Sequence, residues 1–310
     1  MQGKYRAILP SSCLTGSFLI NWINLNYFVK FLGKLRMEKL NVRLMAFDLD
    51  DTLLDSNTNI SDKTVATLKK CAEKGIYIVL CSGRAKAGMT KFQERIGLTQ
   101  SEYGKYMATI NGCSLFNLQT GKEIFSRSVE THVLLEVNHM AEEMGLYSEV
   151  YSANTIFYKK ETEWTLKDVQ LCKVTGQIVP EYEKFISENK FPKMLVPGEP
   201  EKLKILQKKA KEKLGDRATI FTSKPFFLEV LPPDCGKGIA VLWLAKHLGI
   251  PEAQTMAFGD AMNDENMIRL CGFGVAMKNG NEELKAMADF ITYKTNDEDG
   301  VADFIEKHVL

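Results

Sequence analysis

Residues 46–56 read AFDLDDTLLDS, an apolar run that ends in three carboxylates, Asp48, Asp50 and Asp51. At about 4 Å two carboxylates repel by roughly 4 kcal/mol at an effective dielectric near 20, so a site that holds such a pair needs a cation or a shared proton. A second stretch, AFGDAMNDENM at residues 257–267, repeats the design: an apolar run closes on Gly259-Asp260, and Asn263 and Asp264 stand where a helix begins. In open α/β sheets ligands bind beyond the carboxyl ends of the strands, so acids at two such ends can meet however much chain lies between them. Oxygen ligands without His or Cys partners suit Mg2+, which takes one or two carboxylates, keeps waters and holds phosphate oxygens.

Two further stretches add phosphate chemistry. Ser82-Gly83-Arg84 follows the apolar run IYIVLC and offers a hydroxyl, a backbone N–H and a guanidinium. Lys237, in CGKG, opens a helical stretch where the macrodipole disfavours a cation, so it makes sense facing an anion. Taken singly, each signal has an ordinary alternative. DLDD can be an acidic turn, Asn111-Gly112 a hairpin turn, Ser82-Gly83 a loop, Lys237 a solvated charge, and Arg84 one half of a loop ion pair. Asp51 reads as a solvated turn residue or a supporting acid. The aromatic residues Phe157, Tyr158 and Trp164 read more readily as core than as a substrate cleft. What joins the signals is that every one follows an apolar strand or opens a helix on the side where ligands bind.

The elements that would carry them alternate. VRLMAFDLD is apolar on both faces, as in a strand buried on both sides of a parallel sheet. SDKTVATLKKCAEKG supplies a helix capped by Ser61 and ended by Gly75, and IYIVLCSGR returns as a strand, giving a βαβ unit. Near Asn111 two turn signals, Asn111-Gly112 and Thr120-Gly121, separate short strand-like runs and predict antiparallel structure. Helical stretches, strands and proline breaks continue to about Lys224, and after FFLEVLPP the βα alternation resumes. The expected architecture is α/β: a doubly wound, mostly parallel, Rossmann-like sheet with an inserted α+β cap. The expected segments are an extension at 1–40, core at 41–114, cap at 115–225 and core again at 226–310.

Composition narrows the function. With 310 residues and 45% hydrophobic content the chain can bury an ample core, and 40 basic against 39 acidic residues leave a net charge of +1, too little to favour nucleic acid or anionic membrane. Seven cysteines without CxxC pairs are expected to pack as small apolar residues in a reducing cytoplasm. The first three dozen residues are apolar in patches broken by Pro10 and by Asn21, Asn24 and Asn26, which makes a poor membrane span. Met37 opens MEKLNVRLMAFDLD and is the expected start, with an interfacial helix as the competing reading of the leader.

Together these residues resemble the haloacid dehalogenase-like phosphatases, in the Cof-type branch whose large cap follows the third strand. DLDDT matches the family's D-x-D-x-T, with Asp51 where glycine is common; Ser82, Lys237 in CGKG and GDAMND match the three later motifs. The likeness runs through INGCSLF, GVAMKNGNEELKAMADFIT and EDGVADFI, from about Val42 to the C-terminus. The resemblance implies a Mg2+-dependent phosphatase of small phosphorylated metabolites, such as sugar phosphates, nucleotides or phosphorylated cofactors. In it Asp48 becomes an aspartyl-phosphate and Asp50 serves as acid and then base. Asp48, the Asp50 carbonyl and Asp260 hold the metal, supported from behind by Asp264. Ser82, Lys237 and Asn263 bind phosphate, Thr52, Gly83 and Arg84 join the phosphate and substrate site, and Asn111 at the cap junction meets substrate. The rival readings are a phosphomutase built on the same intermediate and a phosphorylated signalling or binding protein without turnover. Asp50, two residues past the nucleophile, argues against the second rival.

Overall fold

The computed structural model describes residues 39–310; the apolar leader and the start expected at Met37 lie outside the described residues. β1 (Leu44–Phe47) is apolar and buried at every position. Its residues alternate between two cores: Met45 and Phe47 pack with Val65 and Leu68 of α1 (Asp62–Glu73), while Leu44 and Ala46 face the opposite layer. The Ser61 hydroxyl accepts the Thr64 N–H at 3.0 Å, and Gly75 follows the helix at φ +81°, as the cap and stop signals require.

β2 (Tyr77–Cys81), α2 (Lys86–Ile96) and β3 (Tyr106–Thr109) follow, then the hairpin β4 (Ser114–Asn117) and β5 (Glu123–Ser126). The chain next crosses into a second sheet through α3 (Thr131–Glu143), β6 (Glu149–Tyr151), β7 (Thr155–Tyr158), α4 (Glu163–Cys172), β8 (Thr175–Ile178), α5 (Tyr182–Glu188), β9 (Met194–Pro197), α6 (Pro200–Leu214), β10 (Thr219–Lys224) and β11 (Phe227–Leu231). It returns through α7 (Lys237–His247), β12 (Thr255–Gly259), α8 (Glu265–Leu270), β13 (Phe273–Ala276), α9 (Glu282–Met287), β14 (Phe290–Ile291) and α10 (Gly300–His308).

The core sheet has the order β14-β13-β12-β1-β2-β3-β4-β5, parallel from β14 to β3 and antiparallel at β4 and β5. β1 pairs with β2 on one side and β12 on the other, so the strand order reverses there and the ends of β1 and β12 flank the crevice where such sheets bind ligands. The second sheet, β10-β11-β9-β6-β7-β8, is antiparallel apart from β7 and β8, with α3, α5 and α6 packed on one face.

The expected cap boundaries at 115 and 225 do not follow the hydrogen bonding. β4 and β5 belong to the core sheet, because a parallel sheet can end on an antiparallel edge, and β11 belongs to the second sheet although its sequence reads as the return to the core. Among the described residues no helix is long and apolar enough to cross a membrane.

Candidate active site

β1 ends at Phe47 and Asp48 follows at once, its N–H donating to the carbonyl of Phe258 in β12. That bond aligns the ends of the two strands, and Asp260 emerges one residue past β12. Asp264, on the next turn, is wholly buried; its Oδ2 accepts the N–H groups of Asp260 (3.0 Å) and Ala261 (3.2 Å), which folds the loop back on itself. Gly259 is needed here, since a Cβ would lie 2.5 Å from the Asp264 side chain. Lys237 is fully buried and donates to Asp48 Oδ1 at 2.5 Å and Asp264 Oδ1 at 2.6 Å.

Charge accumulates in this group. Burial, then the neighbouring Asp264, push the Asp48 carboxyl well above its usual range even though Lys237 pulls it down. Asp260 is pushed up to about 7, by burial first and Asp264 next, with the Thr52 hydroxyl opposing. Burial works against the charge on Lys237, but Asp264 and Asp48 outweigh it and raise its pKa. One carboxylate oxygen from each of Asp48, Asp260 and Asp264 lies within 4.8 Å of the others. The all-oxygen donor set fits a hard divalent cation, and the raised pKa values of Asp48 and Asp260 mark the positive charge that such an ion would supply.

The other expected residues divide. Ser82 is buried, and its Oγ accepts the Arg84 N–H at 3.3 Å. Gly83 lies against Asn111, whose Oδ1 would be 3.0 Å from a Cβ at that position. Asn111 sits in the β3–β4 turn, where Ile110, Asn111 and Gly112 all have left-handed backbones (φ +51°, +52° and +80°), and its buried Oδ1 has no hydrogen-bond partner. Arg84, read as a phosphate ligand or one half of a loop ion pair, forms a two-pronged pair with Asp50, Nε to Oδ2 at 2.9 Å and Nη2 to Oδ1 at 2.5 Å. The Thr52 hydroxyl donates to Asp260 Oδ1 at 3.0 Å and so orients that carboxylate. Asn263 is exposed on the 3-10 turn Met262–Asp264.

Two features escaped the sequence reading. Asn266, in α8, accepts the Gly238 N–H at 2.8 Å and fills the space a Cβ on Gly236 would need, which fixes the start of α7 and so the placement of Lys237. Cys113 and Cys235 are joined in a disulfide, with Cα atoms 5.6 Å apart and a sequence separation of 122, instead of packing as thiols. A CxxC-type spacing could not have flagged a pair that only the fold brings together.

A family model for haloacid dehalogenase-like hydrolases matches residues 45–305, which takes in both sheets. The chain belongs to this family. It is 31% identical over 244 residues to an HMP-PP phosphatase of Citrobacter koseri, covering 79% of this chain and 87% of that protein. It is 28% identical over 296 residues to the phosphatase YwpJ of Bacillus subtilis, covering 87% of this chain and 100% of that one. A solved haloacid dehalogenase-like hydrolase from Bacteroides thetaiotaomicron superposes with a TM-score of 0.77 at 29% identity, over 86% of this chain and 99% of the other. The protein is accordingly a Cof-type hydrolase of phosphoric monoesters, in a superfamily that typically uses a divalent metal.

Proposed function

We propose that this hydrolase cleaves small phosphorylated metabolites through an aspartyl-phosphate on Asp48, with Mg2+ as its metal. The observation that carries the reading is the convergence of Asp48, Asp260 and Asp264 around the buried Lys237 ammonium at the ends of two adjacent parallel strands. Asp48, Asp260 and the Asp50 carbonyl would hold Mg2+, with Asp264 fixing the loop behind them; when bound, the ion neutralises charge between nucleophile and phosphate.

An Asp48 oxygen attacks phosphorus, the ester P–O bond breaks, and the departing alkoxide takes the proton of the Asp50 carboxyl. Asp50, now a carboxylate, takes a proton from water, whose oxygen attacks the same phosphorus and frees inorganic phosphate and Asp48. Ser82, the Gly83 N–H, Lys237 and Asn263 bind the phosphoryl oxygens as charge spreads over them. Asn111, with its unpartnered buried oxygen, meets the leaving group. Arg84 holds Asp50 in place and releases it when substrate enters.

With p-nitrophenyl phosphate, Asp48→Asn lowers phosphate release by at least about four orders of magnitude while circular dichroism shows an intact fold, and EDTA silences the wild type until Mg2+ is restored. Full activity in the Asn variant would remove the nucleophile assignment. Isomerised sugar phosphate without free phosphate would turn the reading into a mutase.

A further inference from the structure

We infer that Cys113 and Cys235 form a thiol–disulfide modification site whose oxidised form holds the candidate active site in working order; as regulation of that site, it rests on the phosphatase reading above. The bond ties the β3–β4 turn of the core sheet to the segment by which the chain re-enters the core after β11. Cys113 closes the Ile110–Gly112 turn that carries Asn111, and Cys235 stands two residues before Lys237. The two segments touch backbone to backbone: a Cβ on Gly112 would lie 2.4 Å from the Gly236 carbonyl. The Cys235 sulfur is also 3.6 Å from the Asn111 carbonyl oxygen. A further link crosses the same junction, since Arg127 pairs with Asp234 at 3.3 Å and its N–H donates to the Cys113 carbonyl at 2.7 Å.

The turn held in this way is one that needs holding. Three consecutive residues adopt left-handed backbones, and one of them, Ile110, is β-branched, a type that rarely does so. A covalent tie from the next residue to the opposite segment keeps both Asn111 and the start of α7 in place. Without it, the turn relaxes and Asn111 and Lys237 lose their fixed separation.

The chemistry balances with a thiol as reductant. Cys235, 9% exposed where Cys113 is fully buried, is the sulfur a thiolate reaches. Attack there forms a mixed disulfide and expels Cys113 as a thiolate, which takes a proton. A second thiol molecule then frees Cys235 and leaves the small-molecule disulfide. Oxidised glutathione drives the reverse, with its two sulfurs reduced as the cysteines are oxidised.

The test equilibrates the whole chain in reduced or oxidised glutathione, traps thiols by alkylation, and measures kcat/KM on p-nitrophenyl phosphate with Mg2+. The expected result is that Cys113 and Cys235 resist alkylation only in the oxidised buffer, and that reduction lowers kcat/KM about tenfold, the scale of a small misplacement of positioning groups. Cys235→Ser should stay at the reduced level in both buffers. Alkylation of both thiols in the oxidised buffer, or equal kcat/KM in the two states, would overturn the proposal. Amide exchange at residues 110–113 and 236–238 decides the case without turnover: exchange at least about tenfold faster after reduction supports the tie, and equal exchange refutes it. Absence of phosphate release in both states would count against the phosphatase reading alone.

Discussion

Each of the two sheets buries a lysine among three carboxylates, and the two groups meet the same charge deficit differently. In the core, Lys237 lies against Asp48 and Asp264, with Asp260 beside them, all carried on loops past strand ends or at a helix start. In the second sheet, Lys193 pairs with Glu229 at 3.0 Å and lies 4.5 Å from the centre of the Tyr151 ring. The Tyr151 hydroxyl donates to Asp168 and sits 3.4 Å from Glu149. Glu149 and Glu229 project from strands and flank Leu195 in register. That second group is closed to solvent, every member being 5% exposed or less. Burial, then the hydrogen bond that its protonated form donates to Asp168, push the Glu149 carboxyl well above its usual range, which favours the neutral form. The core group opens to solvent at Asp260, and a cation can reach it. Access, rather than the number of acids, separates the group that a cation can reach from the one that is closed to it.

The largest test of this contrast removes each lysine. Stranding buried partners of an ion pair typically costs about 3–5 kcal/mol. Lys237→Met strands two carboxylates at hydrogen-bond distance and Lys193→Met strands one, so urea unfolding of metal-free protein should show the first variant less stable than the second by about 1–2 kcal/mol. Mg2+ should restore part of the loss in Lys237→Met and none in Lys193→Met. Equal losses with equal responses to Mg2+ would mean that the two groups do not differ as described.

A smaller effect sharpens the same point through pH. Native Asp260, raised to about 7, holds a proton between about pH 4 and about pH 7 that the unfolded chain has released. The stability tied to this group is therefore greatest at low pH, falls as pH rises through that window and levels above it, by at most about 4 kcal/mol. Asp48 shifts in the same direction. Saturating Mg2+ binds these groups as anions and removes their slope, so its gain in Tm should be larger at about pH 7.5 than at about pH 5. Glu149 is out of the ion's reach, and the residual decline of Tm with pH in the Mg2+-loaded protein should flatten in Glu149→Gln. An equal Mg2+ gain at the two pH values would contradict the raised Asp260.

This contrast also marks what the sequence could reveal. The doubly wound core is legible because β1 and β12 are apolar throughout and each runs straight into acids, a pattern local enough to see in one line of sequence. The Asn111-Gly112 hairpin is equally visible, but its sheet is not, since turn chemistry fixes the loop and leaves open which sheet the strands join. The second sheet's charged group was invisible because its members alternate with core residues: Glu149 precedes Val150, and Glu229 stands between Leu228 and Val230, so each reads as an ordinary solvent-facing position. Side-chain choices between nearby partners were also out of reach. Nothing in Ser82-Gly83-Arg84 says that the guanidinium turns to Asp50, or that the Thr52 hydroxyl turns to Asp260.

The smallest expected effect concerns a position where this chain departs from the family pattern. Asp51 stands where glycine is common, and its backbone is left-handed (φ +57°, ψ +7°), a region open to glycine and costly for other residues, though least so for Asn and Asp. The conformation is enforced by the loop, whose Asp51 carbonyl accepts the Asn279 side-chain N–H at 2.7 Å; Asn279 in turn accepts the Asn296 N–H at 3.0 Å. These bonds use the backbone and would survive Asp51→Gly. The substitution relieves up to about 1 kcal/mol of strain, offset in part by the greater freedom of glycine in the unfolded chain. It also removes an exposed carboxylate that adds to the upward push on Asp260. Metal-free Asp51→Gly should therefore melt at the wild-type temperature or up to about 2 °C above it. A fall of several degrees would instead assign the Asp51 carboxylate a contact of its own, and the charge balance of the core group would have to include it.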